Sequence, residues 1–283
     1  MTLRPVRDLG QLKGPLLIFG GPYSNYAATE AVHEISRQRG IPPEQVVCTG
    51  DLVAYCAEPE ETVGLIRDWG VHVVMGNCEQ SLADRAVDCG CGFEDESTCS
   101  ALSAEWFRYA DGQLAEEHRL WMGSLPQILF FQLAGRRLAV VHGAVSRINR
   151  FLFASTSSRD KLGELELLDR DVDGIVAGHC GIPFGQMVAG KAWLNAGVIG
   201  LPANDGTQDG WYLVIEEVAG SLQAVWHRLN YAAEQSRQKM LEAGLAMAYA
   251  DTLINGLWPS EDVLPGEEKS RRGKALNPAP VVF

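Results

Sequence analysis

Three short apolar stretches, each closing on glycine, decide how this chain folds: Pro15-Leu-Leu-Ile-Phe-Gly-Gly21, Gln45-Val-Val-Cys-Thr-Gly-Asp51 and Val71-His-Val-Val-Met-Gly-Asn77. Brief apolar runs bounded by turn residues read as strands buried on both faces. Between them lie two segments with helical spacing. Asn25 to Arg39 has Ala28, Val32 and Ile35 apolar, and the stretch after Pro59 carries Val63, Leu65 and Ile66 on to Trp69. This alternation predicts βαβ units and parallel pairing. In open α/β sheets ligands gather beyond the carboxyl ends of the strands, so the ends at Gly21, Asp51 and Asn77 outline one candidate site.

Beyond Asn77 the character changes. Asp88-Cys-Gly-Cys-Gly-Phe93 leads into helix-like runs around Leu102 to Tyr109 and Leu114 to Met122, which read as an inserted helical cap over about residues 80–127. Ile128 to Ala134 and Arg137 to His142, separated by a glycine turn, read as a hairpin, and Val172 to His179 as a strand ending in Gly-His. Further strands at Lys191 to Leu194, Trp211 to Val218 and Leu222 to Arg228 predict a second, mostly antiparallel sheet. The expected fold class is therefore α/β, a two-sheet sandwich over residues 1–229. A C-terminal helical extension follows over 230–258 (Ala232 to Ala243, Ala246 to Leu257), then a loosely held Pro/Gly/charge-rich tail over 259–283.

Composition narrows the function classes. With 46% hydrophobic and 21% charged residues in 283, the chain has ample material for a core and is not of the disordered class. The balance of 24 Lys+Arg against 36 Asp+Glu gives a formal charge of −12, which repels phosphate backbones, so general nucleic-acid binding is not expected. The stretch Leu16 to Gly21 is far shorter than the roughly 18 residues of a membrane helix. A cytoplasmic protein without membrane partners is the expectation, with homo-oligomerisation left open. Gly20-Gly21 lacks the third glycine and the lysine of nucleotide-binding loops. Seven cysteines, an odd number, point to reduced thiols or metal ligands rather than a disulfide framework.

Four metal-ligating residue types stand at strand ends: Asp51, Asn77, His142 in Val-Val-His-Gly, and His179 in Gly-His-Cys-Gly-Ile-Pro-Phe. A carboxylate, an amide oxygen and two imidazoles suit a divalent ion such as Mn, Fe or Zn, whose Lewis acidity activates water. Cys56, Cys78 and Cys180 each follow one of these blocks and are candidate additional ligands. Cys89-Gly-Cys91 with Cys99 forms a tighter group whose spacing is not that of a common zinc site, and a metal or redox role, a disulfide and structural thiols all remain open for it. Tyr23, Asn25 and Arg150 are candidate substrate contacts, with Arg147 and Arg150 close enough to His142 to clamp a phosphate. Helix capping by Ser24 and a solvated loop are the plainer readings there. His33, His72, His118 and His227 are expected to be solvent-facing or satisfied by the fold.

The order of these blocks over about residues 15 to 215 resembles the calcineurin-like metallophosphoesterases, especially the small bacterial branch. Asn25-Tyr-Ala-Ala, Gly50-Asp51, Gly76-Asn77 with Glu79, Leu125-Pro126 ahead of His142-Gly143, Gly178-His179 with Pro183, and Asn195-Ala-Gly-Val-Ile-Gly200 carry the likeness. It implies the metallophosphoesterase type of sandwich and metal-dependent hydrolysis of a small phosphomonoester or phosphodiester. It also implies that the residues matching Asp51, Asn77, His142 and His179 hold one ion of a pair. The family ligands of the other ion fall at Gly21, Tyr23 and Gly181, where this chain has none, and the family's proton-donating histidine falls at Cys78. The expectation is a hydrolase with one conventional metal site kept and the other lost or rebuilt. The alternatives are a non-catalytic relative that binds or senses a ligand, and a thiol or iron redox protein.

Overall fold

The computed structural model describes residues 5–92 and 97–283; Phe93, the end of the cysteine-glycine segment, lies outside them. The chain runs β1 (Val6–Gln11), β2 (Leu16–Phe19), α1 (Tyr26–Gln38), β3 (Val46–Cys48), α2 (Pro59–Trp69), β4 (His72–Val73) and α3 (Asn77–Ala83). Then come α4 (Thr98–Gln113), α5 (Glu116–Gly123), β5 (Ile128–Leu133), β6 (Arg136–Val141), α6 (Ser158–Glu166), β7 (Gly174–Ala177), β8 (Phe184–Val188) and β9 (Lys191–Asn195). The last part is β10 (Gly210–Val218), β11 (Ser221–Leu229), α7 (Ala233–Glu242), α8 (Met247–Asn255), α9 (Gly266–Lys269) and β12 (Val281–Val282).

Two mixed sheets of six strands form the sandwich, in the orders β1-β5-β6-β7-β9-β8 and β12-β11-β10-β2-β3-β4. The expected second sheet of antiparallel strands is thus corrected: β10 pairs antiparallel with β2, while β9 joins the other sheet parallel to β7. Strand periodicity explains the continuous apolar runs. Leu16 and Ile18 point between the sheets, where Leu129, Phe131, Leu213 and Ile215 meet them, whereas Leu17 and Phe19 point outward to the layer of α1 and α2. On the opposite side Ile128 and Phe130 face outward with Trp193 and Leu165 of α6. Both faces of each sheet are covered, so no polar alternation is written into the central strands.

Local signals set the helices. Asn25 caps α1 by accepting from the Ala28 amide at 3.2 Å, and α2 begins on Pro59 and ends at Gly70 with φ +76. The helical segment 80–127 is borne by α4 and α5, with Trp106 and Phe107 buried against the α1–α2 layer. Among the described residues no helix is long and apolar enough to cross a membrane.

The tail after Pro259, expected to be loosely held, closes on the sandwich. β12 adds to β11, pairing Val281 with Ala224, and the Arg228 guanidinium donates to Asp205 at 3.0 Å and to the Leu276 carbonyl at 2.8 Å. Glu268 accepts from the Ser155 amide at 3.0 Å. These partners are polar groups on distant strands and loops, which a composition reading of the tail does not see.

Candidate metal centre

Parallel pairing brings the candidate donors together. β2, β3 and β4 run side by side in one sheet, and β6 and β7 in the other, so the loops after Cys48, Val141 and Ala177 all leave from the same edge of the sandwich. The Gly178 amide donates to the His142 carbonyl at 2.7 Å, which locks the two histidine loops in register. Asn77 does not end a strand, as the sequence pattern predicts, but opens α3, with Gly76 as the N-cap. Asp51 and His179 adopt φ of +58 and +59, a strained region for residues with a Cβ, here occupied at the two positions that turn their side chains to a common point.

His142 fixes the electrostatics. Its Nδ1 lies 2.6 Å from the Thr49 carbonyl, which only accepts, so Nδ1 carries a proton. In the neutral ring Nε2 is then a lone pair, and it faces Asn77 Oδ1 at 3.1 Å, Asp51 Oδ2 at 3.2 Å and His179 Nδ1 at 3.0 Å. The Asn77 amide is oriented by its Nδ2, which donates to the Cys89 carbonyl at 2.9 Å. Two oxygens and two ring nitrogens converge. Asp51, His142 and His179 alone place one donor atom each within 4.8 Å of one another, all buried. That donor set fits a divalent cation. Burial opposes charge on Asp51 and on His142, yet their mutual attraction overrides it: the carboxyl is held well below the usual range and the imidazole above its own. His179 is pushed down, by burial first and by the neighbouring His142.

A residue that carried only a motif match in the sequence holds this arrangement. Glu79, completely buried, accepts from the amides of Asp51 at 2.8 Å, Leu52 at 2.7 Å and Gly76 at 2.7 Å. It ties the Asp51 loop to the start of α3. Asn195 does the same for the other side, donating to the Gly178 carbonyl at 2.7 Å and toward Cys180 Sγ at 3.2 Å.

Beside the donors lies a cavity partly open to solvent. Asp51, His179, Cys78, Cys180, Tyr23 and Phe151 line it from the sandwich; Tyr249, Trp258 and Val263 close it from the C-terminal segment. Phe151 packs on the His179 ring with centroids 4.2 Å apart. No sequence pattern marked Tyr249 or Trp258, which the C-terminal helical extension brings to the cavity.

Several candidates stand elsewhere or are spent. Asn25, with no exposed surface, donates to the Gly200 carbonyl at 2.9 Å and accepts from Ser236 at 2.7 Å besides capping α1, so it is a structural joint rather than a substrate contact. Arg150 pairs with Glu164 and with Asp160 of α6 and is not in the cavity wall. Cys56 points to the Gly200 carbonyl at 3.9 Å, away from the donors. Cys78 and Cys180 do line the cavity, but no cysteine sulfur joins the donor cluster among the described residues. Burial raises both thiols, Cys180 to about 12, and Asp51 adds to the effect at Cys78, so both are neutral at pH 7. Cys89 and Cys91 are joined by a disulfide, and Cys99 is a buried free thiol. Tyr23 remains at the site, its phenol pushed well up by burial and by Asp51, hence a donor only.

Residues 24–219 match the model of the calcineurin-like phosphoesterase superfamily domain. The chain is 24% identical over 263 residues to an uncharacterized protein of Methanocaldococcus jannaschii, covering 87% of this chain and 99% of that one. Its fold is similar to a metallophosphoesterase from Sphaerobacter thermophilus, with TM-score 0.65, 22% identity and coverage of 87% and 100%. A hypothetical protein from Pyrococcus horikoshii OT3 aligns with TM-score 0.72, 16% identity and the same coverage.

Proposed function

We propose a function from one premise: the chain belongs to the calcineurin-like phosphoesterase superfamily. The proposal is a metal-dependent phosphoric ester hydrolase that works with a single divalent ion (Mn, Fe or Zn) held by Asp51, Asn77, His142 and His179. The observation that carries it is the buried convergence of Asp51 Oδ2, Asn77 Oδ1 and His179 Nδ1 on His142 Nε2. When bound, such an ion supplies polarisation of a phosphoryl oxygen and activation of water.

The chain's own residues supply the rest. The Thr49 carbonyl fixes the His142 tautomer, so that in the neutral ring Nε2 presents its lone pair to the site. Glu79 prevents the Asp51 loop from relaxing toward solvent, while burial first, and the negative charge of Asp51 second, keep the Tyr23 phenol and the Cys78 thiol protonated. Both therefore offer a hydrogen to an oxygen of a bound phosphoryl group rather than competing with it for a cation. Tyr23, Tyr55, Phe151, Tyr249 and Trp258 give the cavity aromatic walls.

The test is metal content after purification without chelators, followed by a phosphoester panel. Expected are one equivalent per chain, turnover that depends on it, and loss of both in His142→Ala. Turnover that persists in the metal-stripped protein would refute the reading. One observation favours a second reading, a non-catalytic metal-binding relative: position 78 carries a thiol held neutral by burial instead of an imidazole acid. Bound metal with no turnover across the panel would select it.

A further inference from the structure

The cavity beside the donors is unusual in charge. Among the described residues that line it, Asp51 is the only charged side chain, with neither lysine nor arginine in the wall. A divalent ion at the donors brings two positive charges, against which stand the Asp51 carboxylate and, behind its loop, the buried Glu79 carboxylate. Each negative charge that a ligand brings goes further unpaired inside the buried site, where desolvation is costly, so one such charge is tolerated better than two. The remaining wall is aromatic: Tyr23, Tyr55, Phe151, Tyr249 and Trp258.

Trp258 is fixed in that wall and is not a loose tail residue. Its indole N–H donates to the Pro202 carbonyl at 2.7 Å and its amide to Asn204 Oδ1 at 2.8 Å. The ring lies against Gly181, where an added Cβ would come within 3.0 Å of Trp258 Cζ2. Across the cavity, Gly21 is in the same state, with an added Cβ falling 2.7 Å from the Tyr23 ring and 2.5 Å from Val198. The backbone next to the donors is therefore covered by rings, and the space they border suits an apolar or aromatic group.

We propose that Trp258 is a specificity-determining residue that makes this cavity select a phosphorus ester with one negative charge and an aromatic or apolar arm over a dianionic phosphomonoester. The proposal rests on the single-ion phosphoesterase reading for the position of the phosphoryl group. The arm packs on the indole of Trp258 and faces Tyr55 and Phe151, while the phosphoryl oxygens face the ion and the Tyr23 hydroxyl.

The test is calorimetric titration of the Mn-loaded full chain at pH 8 with diphenyl phosphate and with phenyl phosphate, which is dianionic there because its second pKa is about 6. Diphenyl phosphate is expected to bind at least about tenfold more tightly, a difference of about 1.4 kcal/mol. Trp258→Leu, which keeps the wall apolar without the ring, is expected to reduce that preference to about threefold or less, and Trp258→Phe to restore most of it, since aromatic stacking is worth about 0.5–1.5 kcal/mol beyond area. Equal or tighter binding of phenyl phosphate overturns the proposal, as does an unchanged preference in Trp258→Leu or the failure of both anions to bind. Hydrolysis of bis(4-nitrophenyl) phosphate and 4-nitrophenyl phosphate separates the two readings. Faster turnover of the monoester overturns the selectivity and leaves the phosphoesterase standing. Turnover of neither ester, with the binding preference intact, refutes the phosphoesterase and supports the selectivity.

Discussion

Two sides of one site have been resolved in opposite ways. On the side of Asp51, Asn77, His142 and His179, polar groups converge on His142 Nε2 at 3.0 to 3.2 Å. On the side of Gly21, Tyr23 and Gly181, the same loops present no ligand, and Val198, the Tyr23 ring and Trp258 fill the space. The first arrangement is held by charge and hydrogen bonds. The second is stable by van der Waals contact alone. Chemistry and packing can thus be exchanged across a few ångströms without disturbing the strands that carry both.

The strongest way to break this contrast is through the support of the polar side. Glu79→Gln removes an acceptor from a carboxylate serving three amides and turns an N–H toward them. The expected cost is about 2–4 kcal/mol of unfolding free energy and about 10–100-fold in metal affinity, read by denaturant titration and by metal competition. An unchanged metal affinity would show that the Asp51 loop holds itself.

A smaller effect separates capping from substrate contact at the neighbouring joint. Asn25→Ala loses the α1 cap and the bonds to Gly200 and Ser236, for about 2 kcal/mol of stability, while metal stoichiometry stays at that of the parent. A change in KM with unaltered melting temperature would return Asn25 to the substrate. The smallest effect probes the packed side: Gly181→Ala at φ +74, with its new Cβ 3.0 Å from Trp258, is expected to cost about 1 kcal/mol. If metal binding is also unaffected, the packed side is independent of the donors; a loss of metal would show the two sides coupled.

Much of the donor side was legible in the sequence because its signals are local. A buried strand must stop at a turn, the turn sits at the edge of the sheet, and a lone Asp, Asn or His there stands where ligands bind. The failures were of a different kind. Arg150 and Asn25 are the right chemical types near the right blocks, but Glu164 and Asp160 claim the arginine, and Ser236, far along the chain, helps claim the asparagine. Cys56 follows its block closely and still turns away, because side-chain direction in an irregular loop has no period to read.

By itself the sequence determined that this is an α/β sandwich, that the candidate donors Asp51, His142 and His179 follow its strands, and which family those blocks belong to, since order and spacing along the chain are enough for each. Only the tertiary structure decided that β9 and β10 part to different sheets, that Glu79 binds the Asp51 loop, and that the C-terminal extension sets Trp258 against Gly181. The physical reason is range: periodicity and turn chemistry act over a few residues, whereas closure of a cavity by distant segments is chosen by the apolar area and hydrogen bonds they satisfy together.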